Sequence, residues 1–160
     1  MPRIIKYVIV AALLAILITA SVAITQRNKS SFRTRIVTAT DRMVMDEGEC
    51  TLDLNILFAD LEWDTVSIFV AGNSKQIQDS LLVDNDISDG IVFSDKGKRV
   101  MLEMSTYDFL SGELPLVSFH VERTQPDDPY YVSKSRDQAV LHVKKFISYT
   151  GTYKYLVYFI

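Results

Sequence analysis

An apolar run near the N-terminus divides this chain. After a short basic start, Met1-Pro2-Arg3-Ile4-Ile5-Lys6, the residues from Tyr7 to Ile18 are apolar without a break. Small and apolar side chains continue through Thr19-Ala20-Ser21-Val22-Ala23-Ile24. A helix that is apolar all round must be surrounded by lipid or by a large protein interior. Residues 4–24 are long enough to cross a bilayer as a helix. Residues 1–25 are therefore expected to form an N-terminal transmembrane anchor. Ser21-Val22-Ala23 is also a small-x-small cleavage pattern behind an apolar stretch of signal-peptide length, and a cleaved signal is the competing reading. Two cues to orientation are opposed. Four basic residues (Arg27, Lys29, Arg33, Arg35) follow the run and favour a cytoplasmic body. A basic start before an apolar run is the ordinary export device. The expectation is a single-pass membrane protein whose body lies outside the cytoplasm, in the cell envelope.

Behind the anchor, residues 26–35 are polar and basic and read as a linker. Residues 36–160 are enough chain for one globular domain with a real core. Charge is split between these parts. Residues 1–35 hold six of the 17 basic residues and no acidic one, so the remainder carries 11 basic and all 20 acidic residues, a net of −9. Phosphate binding needs a basic surface, so an acidic body argues against nucleic acid as a partner. One cysteine, Cys50, excludes an internal disulfide and any zinc pattern. It is read as a small buried hydrophobe, with a free thiol as the alternative.

The body alternates between period-two stretches and turn signals. Cys50, Leu52, Leu54, Ile56 and Phe58 alternate with Thr51, Asp53 and Asn55, which predicts a strand; a short helical turn before Trp63 is the rival. The stretch Leu61-Glu62-Trp63-Asp64-Thr65-Val66-Ser67-Ile68-Phe69-Val70 holds the only tryptophan and places Val66, Ile68 and Val70 on one face. Ser74 is expected to cap a helix to about Leu82, with Ile77 and Leu81 inward. Ile91-Val92-Phe93 and Val100 to Met104 flank a hairpin turn in which Gly97 supplies positive φ. Val117, Phe119 and Val121 share a strand face opposite Ser118, His120 and Glu122. Thr124 to Pro129 is a loop. Ser135-Arg136-Asp137-Gln138 has the form of a capping box, and Val140, Val143 and Ile147 beyond it follow helical spacing. That predicts a helix over Arg136–Tyr149 with Lys144, Lys145 and His142 on its polar side. Tyr153 to Ile160 reads as a final strand covered on both faces. Residues 36–45 show no clear pattern. The fold class expected is α+β: a mainly antiparallel sheet of about five strands with one or two packed helices, behind the transmembrane helix.

The residues Phe58 and Trp63-Asp64-Thr65-Val66-x-Ile68-Phe69 resemble a loose group of small bacterial envelope proteins. Many of these look like lipoproteins and carry an F-(D/E)-W-D-x-(V/M)-x-(V/I)-F strand followed by a short helix and a hairpin. The likeness covers about residues 50–105 and departs from the pattern at Leu61 and in the lack of a lipidated cysteine. It implies an envelope location and a fold, and no activity.

No linear motif declares a chemistry. Trp63 is read as a core anchor and Asp64 as the brace of a turn; a carboxylate pair with Glu62 is the alternative. Asp84-x-Asp86-x-Ser88 with Asp95 at the twelfth position has the start of a calcium loop, but Asp89 stands where such a loop needs glycine. Its default is a solvated acidic turn. His120 and His142 are the only histidines, and no HExxH, GxSxG or phosphate loop is present. Tyr149, Tyr153, Tyr155 and Tyr158 offer either an aromatic binding surface or the side chains of a covered strand. The sequence assigns no catalytic, cofactor or metal residue. The function it favours is a non-catalytic, membrane-tethered domain that binds another protein, in an immunity, exclusion or envelope-complex role. The alternative is a small exported hydrolase with a site assembled in space around His120, His142 or Asp64.

Overall fold

The structure, a computed structural model, describes residues 31–83, 88–105 and 116–159. The chain divides into two units, Met1–Arg35 and Ile36–Ile160. Of the first, only Ser31–Arg35 is described, and it opens helix α1 (Phe32–Met43). Ser31 Oγ accepts the Thr34 N–H at 3.3 Å and so satisfies one of the free donors of the first turn. The expected transmembrane helix lies outside the described residues, and among the described residues no helix is long and apolar enough to cross a membrane.

In the second unit, strands β1 (Gly48–Asp53), β2 (Thr65–Phe69), β3 (Gly90–Asp95), β4 (Lys98–Met104), β5 (Val117–Phe119), β6 (Tyr131–Ser135), β7 (Val140–Ile147) and β8 (Tyr153–Phe159) form two sheets. One has the order β1-β7-β8-β5 and the other β4-β3-β2-β6. Every pairing is antiparallel except β5 with β8. With α1 and the short helices α2 (Leu54–Leu57) and α3 (Ser74–Leu81), this is an α+β fold. The expected single sheet of about five strands is corrected to two sheets of four.

Both readings of the stretch from Cys50 to Phe58 hold, one after the other. The chain is extended through Asp53, whose carboxylate then accepts the Asn55 N–H at 2.8 Å and caps α2. β2 lies between β3 and β6, so both of its edges are paired. Val66 and Ile68 are buried on one face, while Phe69 on the other joins Ile77, Val83 and Val92 beneath α3. Ile77 faces inward as its spacing predicts, but Asn73 rather than Ser74 caps α3, accepting the Gln76 N–H. Trp63 is buried. Its ring meets Phe93 edge-on at 5.1 Å, and Phe58 lies 5.0 Å from the same ring, so Phe93 collects the aromatic core.

The β3–β4 turn has positive φ at both Lys96 (51°) and Gly97 (74°), the pair of left-handed residues that suits the twist of a hairpin. Lysine tolerates that conformation poorly. Asp64 compensates: its Oδ2 accepts the Lys96 N–H at 2.7 Å. That bond is the main reason the Asp64 carboxyl titrates below the usual carboxylate range. Asp64→Ala should therefore lower the thermal midpoint at neutral pH. Because the folded protein favours the charged form, the difference should be present above the ordinary carboxylate value of 3.8 and fade as pH falls below it. Melting curves at pH 7 and pH 3 check both points.

The helix expected over Arg136–Tyr149 does not form. Arg136–Gln138 is a single 3-10 turn, and Val140–Ile147 is strand β7, hydrogen-bonded to β1 and β8. The buried face is Leu141, Val143 and Lys145, whereas Val140 and Ile147, placed in the core by the helical reading, are 44% and 47% exposed. Two features disguised the strand. The Ser135–Gln138 spacing imitates a cap, although Ser135 makes no side-chain cap bond. Lys145 also breaks the apolar alternation by pointing inward.

Lys145 is 4% exposed and reaches Asp41 at 2.7 Å. Its ammonium also donates to the carbonyls of Val44 and Met45, both at 3.0 Å, just past the end of α1. A cation there meets the free carbonyls and the negative end of the helix dipole. Tyr155 on β8 donates its hydroxyl to the same Asp41 oxygen at 2.7 Å. These bonds, with buried Ile36 and Thr40, hold α1 from Ile36 onward on the face of the sheet that carries Cys50, Lys145 and Tyr155.

Candidate functional site

The placement of α1 leaves a cleft of about 330 Å³ between its last turns and the outermost strand of the first sheet. Ala39, Arg42 and Met43 line one wall, Thr51, Leu52 and Asp53 of β1 the other, and Ile56 and Leu57 of α2 close the end. Met43 and Ile56 are exposed, as is Met45 beside the end of α1. Exposed large apolar side chains gathered at a concave site, with a few charges at its edge, have the composition of a binding surface.

Of the charged residues only Arg42 and Asp53 line the cleft; in sequence, Asp46, Glu47 and Glu49 lie between α1 and the middle of β1. Glu47 accepts the Ile147 N–H at 2.7 Å, beyond the end of the β1–β7 pairing. Glu49 lies 3.4 Å from Lys144 in a solvent-exposed pair that contributes little by itself. Cys50 is half-buried and free, its thiol 3.9 Å from the Thr40 hydroxyl. Burial pushes the thiol above its ordinary value, so it is a weak nucleophile.

A second cleft of about 240 Å³ lies on the α3 side of the other sheet and is lined by hydroxyls, among them Thr65, Ser67, Ser80, Ser94, Ser133 and Tyr131. Ser67 and Ser133 oxygens are 2.6 Å apart. None of its lining residues is an acid, an amine or a histidine, so these hydroxyls have no base at hand. The arrangement suits hydrogen bonding rather than attack.

The structure brings the two histidines together. His142 on β7 sits opposite Tyr158 on β8, with ring centroids 5.6 Å apart, and His120 just past β5 meets the same ring edge-on at 6.5 Å. Among the described residues neither imidazole is hydrogen-bonded to a serine or a carboxylate. Asp64 lies just before β2 of the other sheet, where its carboxylate braces the hairpin. Asp84 and Asp86 lie outside the described residues. Asp89 accepts the Ala71 N–H at 2.9 Å and Asp95 ends β3 opposite Lys98. Among the described residues no group of three or more His, Cys, Asp or Glu is placed to hold a metal ion.

The C-terminal tyrosines divide by strand parity: Tyr155 is buried against Asp41, Tyr153 lies under the Lys145 ammonium at 4.3 Å, and Tyr158 faces the histidines. Tyr149 is exposed in the β7–β8 turn. The apolar cleft was not visible in the linear order, because α1 showed no pattern there. Ile36 and Thr40 do recur at helical spacing, but a threonine in the buried stripe hides it. Comparison with protein-family models, curated proteins and solved structures yields no match.

Proposed function

We propose that the body of this chain is a membrane-tethered, non-catalytic domain of the cell envelope that binds another protein through the cleft between α1 and β1. The observation that carries the reading is the cleft itself, with Met43 and Ile56 exposed and Arg42 and Asp53 as its charged lining residues. The apolar N-terminal run supports the tether, and the resemblance around Trp63-Asp64 supports the envelope location. A tether raises local concentration at the membrane, so a modest surface suffices there. An acidic surface favours a basic partner and speeds encounter at low salt.

Location is tested by fusing reporters after Ile160. A reporter active only when exported should work, and a cytosolic reporter should not; the reverse result places the body inside. Function is tested by two variants. Reversing charge at Asp46 and Glu49 should abolish the phenotype, while a His120→Ala/His142→Ala double variant should retain it. If the double variant folds normally and abolishes the phenotype, a hydrolase built around Tyr158 and its two flanking histidines replaces the binding reading.

A further inference from the structure

Among the described residues, β1 stands at the end of its sheet, paired with β7 alone. The direction of its free backbone groups follows from the register. Leu54 N–H bonds to Ala139 C=O at 3.1 Å, in line with the β1–β7 pairing that puts Leu52 opposite Leu141. In an antiparallel ladder, hydrogen-bonded pairs alternate with non-bonded ones. Leu52 and Cys50 therefore turn their N–H and C=O groups toward β7. Glu49 and Thr51 turn theirs away, to the open edge, as does the Asp53 N–H, while the Asp53 C=O belongs to the first turn of α2. The bond from Ile147 N–H to Glu47 and the bond from Ser148 N–H to Thr152 C=O fit the same alternation across β7.

The side chains divide with equal clarity. Glu49, Thr51 and Asp53 are exposed, while Leu52 is buried on the opposite face; the cleft opens along the strand's edge, where Thr51 and Asp53 also border it. A strand added here would present its residues to these two environments in turn.

Resting on the binding reading above, we infer that β1 is a strand-addition site. Its occupant is an extended antiparallel segment of a partner protein in which basic residues alternate with apolar ones. The basic residues lie opposite Glu49 and Asp53, and the apolar ones enter the cleft lined by Leu52, Met43 and Ile56. Charge decides between this occupant and a second copy of the chain. Two β1 strands paired about Thr51 would set Glu49 of each copy opposite Asp53 of the other. Like charges directly opposed across strands are destabilising, so the acidic edge resists its own copy and accepts a basic strand.

The probe is a synthetic eight-residue peptide of alternating lysine and valine, titrated into the full chain in detergent and followed by amide NMR shifts. The expected result is saturable binding that shifts Glu49, Thr51 and Asp53, weakens as salt rises, and is absent for the glutamate–valine peptide. In the antiparallel alignment the lysine amides donate to β1 and the valine amides point away. N-methylation of the lysine amides should cost about tenfold or more in affinity, and N-methylation of the valine amides should leave it unchanged. Thr51→Pro, which removes an edge donor at a position where proline is tolerated, should weaken the unmodified peptide similarly. No binding of the lysine–valine peptide, or equal binding of the two methylated forms, overturns the inference. A chain that loses its phenotype on reversal of Asp46 and Glu49 yet ignores the peptide keeps the binding reading and loses only strand addition.

Discussion

Leu141→Ala is expected to cost about 3 kcal/mol of stability, while Val140→Thr costs less than about 0.5 kcal/mol. The two residues are neighbours in sequence and differ only in the face of β7 they occupy. Leu141 is completely buried opposite Leu52 and Phe159, and its truncation leaves a cavity in a sheet whose backbone is held by two partners. Val140 is 44% exposed, and threonine keeps the β-branched shape that a strand favours. A helix over the same residues would reverse the order, because its apolar face runs through Val140, Val143 and Ile147 and leaves Leu141 aside. Val143→Asp does not distinguish the two, since Val143 is buried in either arrangement. Urea unfolding of the two variants decides it: a large midpoint shift for Val140→Thr with little for Leu141→Ala would restore the helix.

Asp41→Ala is expected to cost about 2–3 kcal/mol, more than Lys145→Met, although both break the same ion pair. The asymmetry follows from exposure. The side chain of Lys145 is 4% exposed and that of Asp41 44%. Removing the carboxylate leaves a buried ammonium with two carbonyls and an aromatic ring, the costly half of a broken pair. The figure is reduced from the full value for a buried pair because water reaches Asp41 and screens it. Removing the ammonium instead leaves a carboxylate that water can solvate, and methionine fills the space of the lysine stem, for about 1 kcal/mol or less.

The pH dependence has two limbs. Burial pushes the Asp41 carboxyl up, but the bonds from Lys145 and Tyr155 and the lysine charge outweigh it, so the group titrates below its ordinary value of 3.8. Its contribution is present above that value and lost as pH falls through the lower, folded one. Burial first, then the bond to Asp41 and its charge, hold the Tyr155 phenol well above its ordinary value of 10.0. The folded state thus favours the neutral phenol, and that contribution is lost as pH rises past 10. Chemical-denaturation midpoints across pH should fall at both ends, and Asp41→Ala should flatten both limbs. A variant with unchanged limbs would remove this network from the stability of the fold.

What was legible in the sequence was local. The β3–β4 hairpin depends on Gly97 and two flanking apolar runs, and its strands pair across a two-residue turn. The alternation at Val117, Phe119 and Val121 needs only one buried face. That Asp64 braces a turn was readable from its residue type, but that the turn is the β3–β4 hairpin, 32 residues on, was not. The candidate cleft was not readable, because α1, β1 and α2 contribute to it and no one of them shows a binding pattern alone.

The sequence by itself determined that the body is α+β, that its strands are mostly antiparallel, and where the hairpin turns. These follow from side-chain period and turn chemistry, which act over a few residues. The tertiary structure alone decided that Val140–Ile147 is a strand and that the sheets are two. A lysine at a buried strand position looks like a helix's polar face until Asp41 and the end of α1 are beside it. The physical reason is that an inward charge is tolerable only with a partner, and its partner comes from a distant helix. The open edge of β1 is decided in the same way, since which strand stands last in a sheet depends on what the rest of the chain has already paired.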